Sequence, residues 1–192
     1  ESYRGNVSCQ GPRACYDESK RVGETLCYIY HTANGTETNT IRPFNVYGPG
    51  QVGEGAIQRF VARALRGEPL EVTGDGKQVR SWCYIEDLLS AVEVALTSEK
   101  AVGRVYNVGN PDATLTILEL AERVRQLVGS NSPINLVPHQ GTDVRDRVPD
   151  ISRAQDELGY MPRIGMDEGL RRTIAWHRLT HPSNLWSGSP DA

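Results

Sequence analysis

The apolar residues of this chain change period repeatedly, and that alternation limits the folds open to it. Over residues 56–66, Ile57, Phe60, Val61, Ala64 and Leu65 recur at the three- and four-residue spacing of one helix face. Within a few residues the pattern contracts to two short extended runs, Leu70–Thr73 and Val79–Ile85, with Gly74-Asp75-Gly76 as a turn between them. The same exchange runs along the chain. A helix is predicted from Asp17 to His31, with Val22, Leu26 and Ile29 or Tyr30 on one face. A strand then runs from Thr38 to Phe44 and ends at Asn45 and the Tyr47-Gly48-Pro49-Gly50 turn. Glu86 and Asp87 open a helix through Leu96, where acidic groups complement the helix dipole. A strand over Arg104–Val108 follows. Thr116-Ile117-Leu118-Glu119 fits a capping box for a helix closed by Gly129. Ile134–Val137 reads as a strand, and Ser152-Arg153-Ala154-Gln155 as a second capping box. A last helix covers Met166–Leu179, while residues 1–15 and the tail from His181 read as loop. Helices alternating with short strands pack as α/β layers.

Composition narrows the function classes. A net charge of −3, with no basic block, gives no bulk attraction to nucleic acid. No stretch approaches a membrane span, and Glu1-Ser2-Tyr3-Arg4 does not open a signal peptide. Cys9, Cys15, Cys27 and Cys83 match neither a zinc ribbon nor a disulfide framework, so reduced thiols in a cytoplasmic protein are expected. Cys15 and Cys27 are expected to pack, and Cys83 to lie inside a strand. His31, His139, His177 and His181 lack ligand spacing, and no metal site is expected. Asp143, Asp146 and Asp150 surround Arg145 and Arg147 and read as salt-linked loop residues. The 192 residues suffice for one domain or part of a larger one, and the missing initiator Met points to a piece or a processed product.

Tyr16 and Lys20 stand four residues apart, so a helix puts both on one face. An ammonium beside a phenol favours the phenolate, which turns a group of solution pKa near ~10 toward use as a base. By itself such a pair is also ordinary helix decoration. Arg80 and Arg147 carry planar forks suited to phosphate oxygens, though a lone strand arginine is usually a solvated surface group. Asn45 reads as a strand-terminating turn residue with an amide to offer.

The surroundings of these residues resemble one family. Gly11-Pro12-Arg13-Ala14-Cys15-Tyr16-Asp17-Glu18-Ser19-Lys20-Arg21 is similar to the catalytic helix entry of extended short-chain dehydrogenases/reductases, the NAD-dependent epimerase/dehydratase group. Its nearest likeness there is to the UDP-glucuronate decarboxylases. Arg42-Pro43-Phe44-Asn45-Val46-Tyr47-Gly48-Pro49 resembles the strand end beneath nicotinamide and sugar diphosphate. Gly67-Glu68-Pro69-Leu70 through Ser81 resembles a substrate-domain segment, and Asn107–Pro111 and Arg147–Asp150 extend the match in family order.

The resemblance implies late Rossmann elements (1–49 and 81–109) plus a smaller α/β substrate domain (50–80 and 110–192). It implies an enzyme that holds NAD and oxidises a UDP-linked sugar transiently at C4. Tyr16 would be the base and Lys20 would hold the cofactor ribose. Pro43 and Phe44 would lie near the nicotinamide. Asn45, Arg80 and Arg147 would meet the diphosphate, and Glu71 and Thr73 the nucleotide base. It also implies a homodimer through the Tyr16/Lys20 helix; the charge and hydropathy above already point to no nucleic-acid or membrane partner. Gly50 stands where the decarboxylases frequently carry arginine, and Thr73 where an aromatic residue is often found. A 4,6-dehydratase, a 4-epimerase or a noncatalytic nucleotide-sugar-binding relative remain alternatives. No G-x-G-x-x-G run occurs in the 192 residues, so the isolated chain is expected to be inactive.

Overall fold

A computed structural model describes residues 10, 14–53, 55–138 and 144–180. Most of the amino-terminal loop, with Cys9, and His139, Asp143 and the tail from His181 lie outside the described residues. Helix α1 (Ala14–Asn34) begins three residues before the expected Asp17 and continues past His31. Strand β1 (Thr40–Pro43) ends on a proline, followed at Asn45 by a turn in the left-handed region. Strand β2 (Val46–Tyr47) follows, then α2 (Ala56–Arg66) and β3 (Leu70–Thr73). The extended run expected over Val79–Ile85 is two strands, β4 (Val79–Ser81) and β5 (Cys83–Tyr84). They part after Trp82, whose N–H still donates beside β7, to the Ala113 carbonyl at 2.9 Å, while the Cys83 N–H turns to the Asn45 carbonyl at 3.2 Å. Helix α3 (Ile85–Thr97), a 3-10 turn (Glu99–Ala101), β6 (Val105–Val108), β7 (Thr114–Thr116) and α4 (Ile117–Val128) come next. Strands β8 (Ile134–Val137) and β9 (Asp146–Arg147) and helices α5 (Ser152–Leu158) and α6 (Met166–Thr180) complete the described chain.

Parallel pairing dominates. β1 pairs with β6, β2 with β5 and β3 with β8, all parallel. β4 lies between antiparallel β7 and parallel β9. The Gly74-Asp75-Gly76 turn therefore does not make a hairpin of β3 and β4; it passes the chain from one sheet to another. No helix among the described residues is long and apolar enough to cross a membrane.

Two cores hold these layers. The larger joins Ile57, Phe60 and Val61 of α2 to Leu70 and Val72 of β3 and Leu120 and Val124 of α4. The second gathers Ala91 and Ala95 of α3, Tyr106 and Val108 of β6, and Ile151, Ala154 and Tyr160. Caps fix the helix ends. Thr116 and Glu119 form the reciprocal capping box of α4, and Gly129 closes it in the left-handed region at φ 73°. The box expected at Ser152 does not form. Ile151 occupies the N-cap, and the Asp150 carboxylate accepts the Ser152 N–H at 2.9 Å from outside the helix. That bond holds the Asp150 carboxyl below its usual range. Asp87, expected only to complement a dipole, is buried and accepts the N–H groups of Arg163 and Ile164 at 2.8 and 3.1 Å.

Candidate functional site

Helix α1 places Tyr16 and Lys20 as their spacing requires: the Lys20 ammonium lies 5.2 Å from the centre of the Tyr16 ring. Tyr16 is 55% exposed and lines a cleft of about 480 Å³ with Pro43, Phe44, Asn45, Val46 and Arg147. Residues more than a hundred positions apart thus meet at one surface. A second cleft, about 440 Å³, opens between α1 and the β1–β6 pair beside Glu24, Thr38 and Arg104; neither Tyr16 nor Arg147 lines it.

The floor of the Tyr16 cleft is built where three of the quoted sequence stretches converge. The Phe44 N–H donates to the Val108 carbonyl at 2.9 Å, continuing the β1–β6 ladder. Gly109 lets the strands' ends close: a Cβ there would stand 2.8 Å from Pro149 Cγ and 3.1 Å from Phe44 Cβ. Asn107 Nδ2 donates to the Asp150 carbonyl at 3.1 Å, which ties the 147–150 segment to the same strand end.

Asn45 turns the chain there, with φ at 40°, a conformation asparagine tolerates better than most residues. Its carbonyl accepts the Cys83 N–H at 3.2 Å, and its Nδ2 donates to the Ser81 carbonyl at 2.7 Å. The amide expected for a diphosphate thus commits one of its two hydrogens to the protein. Beyond Ser81, Arg80 and Arg147 are register partners across β4 and β9. Arg80 Nη1 donates to the carbonyls of Val79 and Arg145 at 2.8 and 3.2 Å.

Glu71 and Thr73 share the partly exposed face of β3, opposite fully buried Leu70 and Val72. Glu71 pairs with Arg63 at 3.1 Å, and the Thr73 carbonyl accepts from Gln78 Nε2 at 2.9 Å. Neither lines the Tyr16 cleft.

Other nucleophiles and phenols do other work. Cys15 is exposed and Cys27 half-buried, so neither packs as expected, because α1 has no buried face. Cys83 is buried in its strand as predicted, and burial pushes its thiol up to about 11. It faces the Tyr160 hydroxyl at 3.8 Å, which in turn donates to the Gly109 carbonyl at 3.1 Å. Burial, and then Cys83, raise the Tyr160 phenol. Burial likewise raises Tyr47, whose ring meets Tyr84 edge-on at 5.5 Å. These phenols stay neutral inside the protein, whereas Tyr16 opens onto the cleft.

The donor set fits one end of a dinucleotide cofactor. An ammonium and a phenol on one helix face suit ribose hydroxyls, and the flat floor of Pro43 and Phe44 suits an aromatic ring. One pair escaped the sequence reading. Glu24 accepts both nitrogens of the Arg42 fork at 2.6 and 2.7 Å. The available signal was that Glu24 continues the Tyr16, Lys20 spacing by one more turn.

Known proteins resemble this chain in sequence and fold. UDP-glucuronic acid decarboxylase 3 of Arabidopsis thaliana is 43% identical over 172 residues, covering 88% of this chain and 49% of that protein. The chain spans about half the length of the curated relatives it matches. The UDP-glucuronic acid 4-epimerase of Bacillus cereus, solved with UDP-glucuronic acid and NAD, superposes with a TM-score of 0.82 at 29% identity. That match covers 91% of this chain and 57% of the other. The dTDP-glucose 4,6-dehydratase of Bacillus anthracis, solved with NAD, gives 0.80 at 28% identity over 92% and 59%. The late strands and helices described above are thus those of a Rossmann-type NAD-dependent fold. The model of the NAD dependent epimerase/dehydratase family matches residues 1–109, which hold Tyr16, Lys20, the β1 strand end and Gly109. The chain belongs to that family.

Proposed function

We propose that the full-length protein modifies a nucleotide sugar by transient oxidation at C4, and that the reaction is decarboxylation of UDP-glucuronate. The observation that carries this reading is the convergence of Tyr16 and Arg147 on one cleft, with Arg80 beside Arg147. A base and an anion clamp at one surface suit a substrate with a reacting hydroxyl at one end and a diphosphate at the other. NAD, when bound, accepts the C4 hydride and later returns it.

The residues of this chain divide the remaining tasks. Tyr16 takes the proton of the C4 hydroxyl, and Lys20 holds the cofactor ribose beside it. Pro43 and Phe44 support the nicotinamide. Arg80 and Arg147 neutralise the diphosphate, with Asn45 at the bend between clamp and base. Glu71 and Thr73 approach the nucleotide base from β3. Once C4 is a ketone, the neighbouring C5 carboxylate is that of a β-keto acid. Carbon dioxide leaves with its bonding electrons going into the enolate, which is then reprotonated. Residues 1–49 and 81–109 serve the cofactor, and 50–80 and 110–192 the nucleotide sugar. Two copies meet through α1, whose Val22, Leu26 and Ile29 are exposed.

The 43% relative favours decarboxylation over the dehydratase and epimerase reactions named for the two solved structures above, which stand at 28% and 29%. The test supplies the full-length protein with UDP-glucuronate, UDP-glucose and dTDP-glucose in parallel and identifies products by mass spectrometry. Loss of carbon dioxide from UDP-glucuronate is the expected result. Loss of water from a glucose nucleotide, or an isomer of unchanged mass, would replace this reading with dehydration or epimerisation.

A further inference from the structure

Helix α1 carries the proposed base, yet none of its residues is buried. A helix is ordinarily fixed in phase by its apolar stripe against a core. Here the stripe of Val22, Leu26 and Ile29 is 46–56% exposed in this chain, and the contact proposed for it is with a second copy, so within one copy the rotation of Tyr16 about the helix axis falls to side-chain ties between α1 and the sheet. Glu24 lies four residues beyond Lys20 and eight beyond Tyr16, on the same face. Its two carboxylate oxygens accept Nε and Nη2 of Arg42 at 2.6 and 2.7 Å. Both side chains are largely withdrawn from water, at 21% and 24% exposure. Arg42 belongs to β1, one residue before Pro43 and Phe44 of the cleft floor, and its backbone is registered against Asn107 of β6. Near the far end of the helix, Thr38 Oγ1 donates to the Cys27 carbonyl at 2.9 Å. That bond, and the His31 ring against Gly103, tie the later turns of the helix, beyond the turns that carry Tyr16 and Lys20.

We infer that Glu24 and Arg42 are positioning residues for the hydride-transfer step: their fork sets the phase of α1, and so the place of Tyr16 and Lys20 over the cleft floor. A bidentate guanidinium–carboxylate pair resists both sliding and rotation, since either breaks one of two parallel charge-assisted bonds. Glu24 lies about 12 Å along the helix from Tyr16 at 1.5 Å per residue, so a small rotation at the fork moves the whole Tyr16–Lys20–Glu24 face. The inference rests on the role proposed above for Tyr16. It assigns Glu24 and Arg42 no contact with substrate.

The test uses the full-length protein and three variants: Glu24→Gln, Arg42→Lys and the exchange Glu24→Arg/Arg42→Glu. Single-turnover NADH formation with a UDP-sugar, affinity for UDP and the thermal midpoint are measured for each, with rates taken well below the lowest midpoint. Each single change should slow NADH formation by about tenfold or more, since a misplacement near 1 Å can cost ~10²-fold. UDP affinity should stay within about twofold, because the Arg80–Arg147 clamp is built on other strands. The exchange should regain most of the lost rate. If Glu24→Gln does not fold, Arg42→Lys, which keeps the charges but not the fork, carries the test. A lowered midpoint with an unchanged rate would reduce the pair to a stabilising tie and overturn the inference. A rate and a UDP affinity that fall together would place the effect in the substrate pocket and overturn it as well. A wild-type protein that neither binds UDP nor forms NADH would sink the functional reading first, and this role with it.

Discussion

Helices α1 and α2 have the same kind of apolar spacing and opposite fates. Helix α2 buries Ile57, Phe60, Val61 and Ala64 against β3 and α4. Helix α1 buries nothing; Leu26, on its stripe, is 49% exposed. Periodicity therefore tells where a helix has an apolar face and not what covers it. The difference has a functional side. In this chain the region around α2 is well packed, while the proposed base sits on a helix tied to the sheet by polar side chains. Elements with few buried contacts are those that open first, so in this chain α1 depends on its hydrogen bonds and ion pairs more than α2 does.

That contrast can be broken by mutation. Phe60→Ala removes a ring from the larger core and should cost about 3–5 kcal/mol, measured by urea unfolding. A loss below about 1 kcal/mol would mean that α2 is no better anchored than α1. Gly109→Ala comes next. Its added methyl group must displace Pro149 or Phe44, so a cost of about 1–3 kcal/mol is expected. Unchanged stability would show that the strand ends close less tightly than the distances imply. Leu26→Ala should do least, within about 0.5 kcal/mol in this chain. A larger loss in the full-length protein, growing on dilution, would support the proposed subunit contact through α1.

Much of the scaffold was legible because local signals agreed with tertiary demand. The bounds of α2, β3 and β8 match their apolar runs, and the Thr116–Glu119 box opens α4 as its residue types require. What was not legible came from long-range pairing. Val79–Ile85 is apolar enough for one strand, but Trp82 still bonds beside β7 while Cys83 turns to the chain before β2, which divides the run between two sheets. Strands β2 and β9 are two residues long, too short to show a period, and exist because β5 and β4 pair with them. At Ser152 the local motif lost to Asp150, which reaches the same N–H from two residues upstream. Within the site, the Tyr16–Lys20 pairing followed from spacing alone. The adjacency of Arg80 to Arg147 did not, because only the β4–β9 register brings them together.

The assignment of Tyr16 as the base is tested most directly by Tyr16→Phe in the full-length protein. The change removes the phenol oxygen and keeps the ring. Single-turnover NADH formation with UDP-glucuronate is followed by absorbance, and UDP affinity by calorimetry. A fall of about 10²–10⁴ in the rate of NADH formation, with UDP affinity little changed, is the expected result. Near-normal NADH formation by the phenylalanine variant would contradict the account at its centre.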